Sequence, residues 1–316
     1  MRTSNEAAAA DVLRRWALDE ELKHVVMSSP QLSAVASRIA RRYTAGETID
    51  DAIETARASI ARGHRVSIEY AGESVRDAQV ADAETEVFLA LIERLRREAV
   101  AATVSFDLSH VGSLVDPALA LRNARRIATA VERLGTTLMI SAEGSDRTDL
   151  VLDLYDELTR DHGNVGITLQ ARLHRSVKDL DRLLDRPGPI RLVQGAFLES
   201  VDVAFPRGSA QLREAYLRFA DRLIDSGHPT AIATHDADLV DSVTARHPDL
   251  MAAGNVEFEM LLGLGTQLHD RLRRAGFRTR EYAVFGREWW LYVLNRIAEE
   301  PHRVYDAIVA AGARQS

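Results

Sequence analysis

The sequence predicts an α/β protein built as a (β/α)8 barrel behind a helical arm. Three observations carry this. Eight short runs rich in β-branched and apolar residues recur between residues 65 and 284. Amphipathic stretches with helical spacing separate them. The residues ahead of the first run show helical periodicity and no strand pattern. Alternating strands and helices imply parallel pairing through right-handed crossovers, and eight units over about 230 residues suit a barrel. An open doubly wound sheet is the other reading of the same pattern.

The elements follow in order. Residues 6–27 are rich in Ala, Leu and Arg at helical spacing. Ser28, Ser29 and Pro30 interrupt them, and proline suits the first turn of the next helix, 31–43. Thr48 is placed to cap a third helix, 49–61, which Gly63 closes. The strands are expected at 65–70, 102–107, 137–141, 165–170, 190–193, 230–234, 255–258 and 279–284. Intervening helices are expected at 85–98, 118–134, 147–161, 177–184, 210–226 and 260–275. The division that follows is an arm over 1–62 and a barrel over 63–316.

Composition narrows the chemistry. The chain has 316 residues, 46% of them hydrophobic, and no cysteine. Disulfides, thiolate metal sites, iron–sulfur clusters and cysteine nucleophiles are excluded. No apolar run approaches the ~18 residues of a membrane span. Residues 1–10 lack the basic flank and apolar stretch of a signal peptide, so a cytoplasmic location is expected. A net charge of −7 argues against general nucleic-acid binding. Lysine occurs only as Lys23 and Lys178. Neither follows a strand, which argues against Schiff-base and pyridoxal phosphate chemistry.

Barrel chemistry gathers at the carboxyl ends of the strands. The polar residues expected there are Tyr70, Gly72 and Glu73; Asp107, Ser109 and His110; Ser141 and Glu143; Gln170 and Arg172; Arg191, Gln194 and Gly195; Thr234, His235 and Asp236; Glu257 and Glu259; and Tyr282. Two chemistries fit this ring. Asp107, Glu143, His235 and Glu257 suit a hard divalent ion. Gln170, Arg191 and Thr234 suit a planar cofactor with oxygen and nitrogen acceptors. Neither a G-x-G-x-x-G turn nor a P-loop is present, so a dinucleotide would be held without a Rossmann turn.

A series of motifs in this ring resembles the proline dehydrogenase family. It runs through Ile68-Glu69-Tyr70-Ala71-Gly72-Glu73, similar to the family's D-Y-L-G-E, then Ala142-Glu143 and Leu169-Gln170-Ala171. Arg191-Leu192-Val193-Gln194-Gly195-Ala196 and Ala233-Thr234-His235-Asp236 follow, then Glu257-Phe258-Glu259-Met260-Leu261, similar to E-F-Q-M-L, and the segment from Tyr282 to Glu299. The resemblance implies a distorted barrel with FAD at the strand carboxyl ends. It implies that Arg191 lies beside the reactive flavin nitrogen, and that Gln170, Val193, Gly195, Thr234, His235 and Glu257 contact the cofactor. Tyr282, Tyr292, Arg296 and Glu299 match the segment whose helix covers the substrate.

The departures fall on the substrate side. The family's strand-2 lysine is Asp107 here, and its strand-3 aspartate is Ser141. Y-x-x-R-R becomes Tyr292-Val293-Leu294-Asn295-Arg296, with one arginine replaced by Asn295. K-G-A-Y becomes Gln194-Gly195-Ala196-Phe197. Losing a charged partner in a desolvated site costs roughly 2–5 kcal/mol, and Asp107 would repel a carboxylate.

The expectation is therefore an FAD-dependent oxidoreductase. Arg191, Tyr282 and Arg296 would be catalytic, and Asp107, Ser141, Tyr292, Asn295 and Arg296 would bind substrate. It would oxidise the C–N bond of proline or, better matched to this pocket, of another amine, imino acid or hydrazine. Oxygen or a quinone would accept the electrons. The alternatives are a metal-dependent lyase or isomerase and a non-catalytic relative.

Overall fold

The computed structural model describes residues 4–72, 74–251, 254–299 and 303–312. Eight strands form a closed barrel in sequence order: β1 (Arg65–Tyr70), β2 (Thr103–Phe106), β3 (Leu138–Ile140), β4 (Val165–Gln170), β5 (Ile190–Val193), β6 (Thr230–Ala233), β7 (Val256–Leu261) and β8 (Thr279–Phe285). Every strand pair is parallel. β8 closes on β1 from Arg65↔Arg280 to Tyr70↔Phe285. Closure leaves no sheet edge, which excludes the open-sheet alternative.

Successive strand residues face opposite ways. Val66 and Ile68 of β1 are buried in the main apolar core, while Ser67 bonds to side chains across the barrel. The interior is therefore partly polar, with Ser67, Ser105, Arg191 and Glu259 at its centre.

The helices form the outer layer. They are α1 (Ser4–Ala17), α2 (Glu20–Ser28), α3 (Pro30–Ala40), α4 (Ile49–Ala61), α5 (Ala78–Arg97), α6 (Pro117–Leu134), α7 (Thr148–Thr159), α8 (Ser176–Leu184), α9 (Ala210–Asp225), α10 (Ala237–Arg246), α11 (Thr266–Arg274), α12 (Trp290–Glu299) and α13 (Arg303–Gly312). α5 shows why such stretches bind the sheet. Phe88, Leu91, Ile92 and Leu95 lie on one face and are buried, each worth about 1.5–3 kcal/mol of transfer free energy.

α4 is held by a reciprocal capping box between Thr48 and Asp51. It packs on β1 and β8. α1 lies along α12, where Ala10 and Leu13 join Tyr43, Trp289, Trp290 and Val293 in a second apolar cluster. The indole N–H of Trp290 donates to the Trp16 carbonyl at 2.9 Å.

The structure corrects several boundaries. The expected helix 6–27 is two helices, because Asp19 caps the second by accepting the Leu22 N–H at 2.9 Å. Residues 260–261, expected to open a helix, belong to β7, whose pairing with β8 continues to Leu261↔Tyr282. Helix α11 starts only after Gly263 and Gly265, both at positive φ. A Cβ on Gly263 would sit 2.0 Å from the Arg42 carbonyl, so only glycine fits that turn.

Candidate active site

β1 and β8 build the centre of the carboxyl rim. Glu69, near the end of β1, accepts hydrogen bonds at Oε2 from Ser141, just past β3, at 2.6 Å, and from the Tyr282 hydroxyl of β8. Asp107, just past β2, acts electrostatically on the same phenol. Burial, and then the Glu69 charge, raise the Tyr282 hydroxyl well above the ordinary tyrosine value. Tyr282 is therefore a neutral donor.

Below this group lies Arg191, 4% exposed. Its Nε donates to Glu259 Oε2 at 2.6 Å and its Nη2 to Oε1 at 2.9 Å. Nη2 also reaches Ser105 Oγ at 3.1 Å, and Ser67 Oγ donates to Glu259 at 2.9 Å. The guanidinium carbon sits 4.8 Å from the centre of the Tyr282 ring, a cation–π contact. Glu259, Arg191, Tyr282, Glu69 and Ser141 thus form one continuous polar chain from the barrel's heart to its rim. Burial raises the Glu259 carboxyl, but the Arg191 charge and hydrogen bonds outweigh it and hold the carboxyl below its usual range.

β4 and β5 supply a flat, tight corner. The Gln170 side-chain amide donates to the Glu143 carbonyl at 2.8 Å, which leaves its Oε1 buried with no partner among the described residues. Val193 completes the ladder by accepting from the Ala171 N–H. Gly195 follows at φ +114°, and a Cβ there would lie 2.7 Å from Arg172 and 3.1 Å from Gln170 Oε1.

At the β6 end, Thr234 accepts the Asp236 N–H at 3.1 Å, and Asp236 caps α10. His235 Nε2 accepts the Leu261 N–H at 2.9 Å. Burial, reinforced by Arg296 and Arg303, pushes the His235 pKa down to about 3, so the ring is neutral.

α12 brings Tyr292, Asn295 and Arg296 to one side. Arg296 pairs with Glu299 at 2.9 Å and lies 5.5 Å from the Tyr292 ring centre. The Tyr292 hydroxyl and Arg296 Nε are buried without hydrogen-bond partners among the described residues.

The structure thus gathers Asp107, Ser141 and Tyr282 on one side of the rim. It sets Gln170, Val193 and Gly195 together beside them, and gives Arg191 its place below. It does not bring Glu257 there. Glu257 is the second residue of β7, at the amino-terminal mouth, and pairs with Arg280 at 2.5 Å and Arg65 at 3.3 Å. It lines a cavity of about 380 Å³ at that mouth. This placement sets Glu257 away from the rim where the cofactor contacts were expected, with four further strand residues between it and the end of β7. Among the described residues no three His, Asp or Glu side chains are grouped to hold a metal ion. Glu73 lies outside the described residues.

Sequence reasoning gave no role to Glu69 or Ser67, although strand parity from Glu69 back to Ser67 is a usable signal. It set Glu259 in the rim ring without giving it a role, since its partner Arg191 lies 68 positions away, and it passed over Arg207.

A closed parallel barrel with polar side chains converging at its carboxyl rim is a barrel enzyme's architecture. The chain belongs to the proline dehydrogenase family, described as "Proline dehydrogenase", whose pattern matches residues 52–300. It is an oxidoreductase of that type. It is similar to proline dehydrogenase 1 of Bacillus subtilis, with 30% identity over 267 residues, covering 83% of this chain and 87% of the relative. It is also similar to proline dehydrogenase of Deinococcus radiodurans, with 32% identity over 289 residues, covering 87% and 92%. The fold matches proline utilization A (PutA) from Bdellovibrio bacteriovorus with a TM-score of 0.77 at 16% identity, covering 95% of this chain and 41% of that one. The chain therefore spans about two fifths of that PutA. No described helix is long and apolar enough to cross a membrane.

Proposed function

We propose that the chain is an FAD-dependent oxidoreductase that oxidises the C–N bond of an amine, imino acid or hydrazine to an imine-type product, with a substrate corner rebuilt away from proline. The observation that carries the reading is the Glu69 group: a carboxylate gripped by Ser141 and Tyr282, with a second carboxylate, Asp107, acting on the same phenol. Such a corner favours an N–H or ammonium and repels a carboxylate.

The residues present fit the cofactor. Gln170 offers a buried, unpartnered acceptor, and Gly195 leaves room that any Cβ would fill. Gln170, Val193 and Gly195 would hold the ring system, with Thr234 and His235 towards the nucleotide end. FAD, when bound, supplies the acceptor for the hydride equivalent that leaves the carbon beside nitrogen. The chain's own groups do the rest. Arg296 takes a substrate carboxylate through its unpartnered Nε. Asp107 or Glu69 receives the proton that leaves nitrogen. Tyr282, neutral and fixed at both ends, keeps Arg191 shielded below the reacting atoms. Holding these groups in place supplies much of the rate. Oxygen or a quinone would be the final electron acceptor, and a cytoplasmic setting suits the composition.

Purified protein should show flavin absorbance. Anaerobic bleaching should be faster with non-proline secondary amines or hydrazines than with proline. Faster bleaching by proline would remove the rebuilt corner from the account. Colourless protein that takes up no FAD would remove the cofactor too.

A further inference from the structure

Two arginines at the rim lack what buried arginines normally have. Arg172, two residues past Gln170, is 3% exposed, and its Nε is buried with no partner among the described residues. Its Nη1 donates to the Phe197 carbonyl at 2.5 Å and its Nη2 to the Phe205 carbonyl at 3.2 Å. Arg207, half-buried in the β5–α9 loop, donates to the same Phe197 carbonyl at 2.8 Å and to that of Ala196. Two guanidinium groups thus meet on one neutral oxygen. Neither forms an ion pair among the described residues, although Glu199 and Glu299 act on them from further off. Arg191, equally buried, has the two oxygens of Glu259.

Further positive charge surrounds them. Arg14 of α1 acts on both, and Arg296 of α12 acts on Arg207. Burial first, then these neighbouring cations, bring the Arg207 pKa down to about 10. A desolvated charge without a counter-charge is costly, and clustered like charges add to the cost. Neutral carbonyls relieve part of it. The rest calls for an anion from outside the chain. The site is also built for close approach, since Gly195 is the residue that lets the Arg172 stem pass.

We propose that Arg172 and Arg207, backed by Arg14 and Arg296, form an anion-binding station beneath the β5–α9 loop that takes a phosphate or carboxylate group of a bound small molecule. The β5–α9 loop then closes over a charge-neutralised group instead of over two repelling cations. Guanidinium forks suit such oxyanions. Two sources carry this chemistry: the diphosphate of a dinucleotide, or an acidic side group on the substrate. Only the first source rests on the flavin reading; the station does not.

The test is calorimetric titration. Deflavinated protein is titrated with FAD, riboflavin and inorganic diphosphate. Protein as isolated is titrated with glutarate. Arg207→Gln and Arg172→Met are compared with wild type, and Arg207→Lys serves as the rescue variant. Arg207 lies in a loop, so its variants keep the test open if Arg172→Met does not fold. The expected result is at least tenfold weaker binding of one of the anionic probes (FAD, diphosphate or glutarate) by Arg207→Gln, partly restored by Arg207→Lys. Loss of FAD and diphosphate affinity with riboflavin unchanged assigns the station to the dinucleotide. Loss of glutarate affinity with both flavins unchanged assigns it to the substrate. If none of the three anionic probes, FAD, diphosphate and glutarate, weakens in Arg207→Gln, if riboflavin weakens as much as FAD, or if none of the three binds wild type, the station does not exist. Protein that binds no flavin yet binds diphosphate or glutarate through Arg207 would sink the cofactor reading alone.

Discussion

Replacing Glu259 with glutamine tests the polar chain at its root. Glu259 is 3% exposed and is the counter-ion of Arg191, which is 4% exposed. The substitution removes the charge but keeps the size, so it leaves a buried guanidinium uncompensated. Breaking a buried pair in this way costs about 3–5 kcal/mol. At about 2.1 cal/mol/K per residue, unfolding a chain of 316 residues carries an entropy near 0.66 kcal/mol/K. The melting temperature should therefore fall by about 5–8 °C. Removing both charges, in Arg191→Met with Glu259→Leu, should recover most of that loss, since apolar isosteres of a buried pair are often neutral. The pH dependence has a definite sign. The Glu259 carboxyl is held below its unfolded value, so its stabilisation is complete above the ordinary glutamate pKa of about 4.3 and is lost as pH falls through the lower folded value. The gap between wild type and Glu259→Gln should therefore close in acid. Thermal melts by circular dichroism from pH 3 to pH 8 read all three. A single variant within 1–2 °C of wild type (about 1 kcal/mol), or a double variant no better than the single, would refute the reasoning.

Gly195→Ala should cost about 1–3 kcal/mol from its left-handed backbone alone; its Cβ, 2.7 Å from Arg172, should also weaken FAD binding, read by calorimetry. His235 is neutral down to about pH 3, whereas the unfolded ring takes a proton near 6.5. Stability should therefore fall as pH drops from about 6.5 to 5, by about 1–2 kcal/mol from this residue, and urea titrations of His235→Asn should show a correspondingly flatter profile. Trp290→Ala removes the residue that ties α1 to α12 and should cost about 3–5 kcal/mol. Because α12 carries Arg296, the KM for a carboxylate substrate should rise as well in steady-state assays.

The strand runs were legible because β-branched, apolar segments bounded by polar and glycine residues have few other homes in a chain of this length. Strands β1, β4 and β5 fall where the pattern put them. The errors share a cause: local signals do not show where a strand stops. The run at 255–258 ended at Phe258 on composition, which set Glu257 near the rim. Pairing with β8 carries β7 three residues further, to Leu261. That extension moves the rim past Glu257 and sets Glu259 opposite Arg191. The break between α1 and α2 was hidden because Asp19 reads as one more polar position until its capping bond to Leu22 is seen. Partners far apart in sequence, such as Ser141 and Glu69, 72 positions apart, leave no local trace.

On the function proposed above, the departures at Asp107 and Ser141 are coupled, and the coupling runs through Glu69. An aspartate at the position of Ser141 would place a carboxylate against Glu69 Oε2, where a hydroxyl now donates at 2.6 Å. Serine there removes that repulsion and supplies a proton. A lysine at the position of Asp107 would no longer have the strand-3 aspartate to answer it. Asp107 and Ser141 then read as parts of one rearrangement, in which a negative charge of this corner shifts from the third strand to the second, beside the first-strand carboxylate that the family's D-Y-L-G-E also carries. The same logic reaches downward. A glutamate at position 259, where the pattern E-F-Q-M-L has glutamine, neutralises Arg191 from below, so the cation no longer draws on the rim for a partner. Glu69 Oε2 can then accept both hydrogen bonds, from Tyr282 and from Ser141.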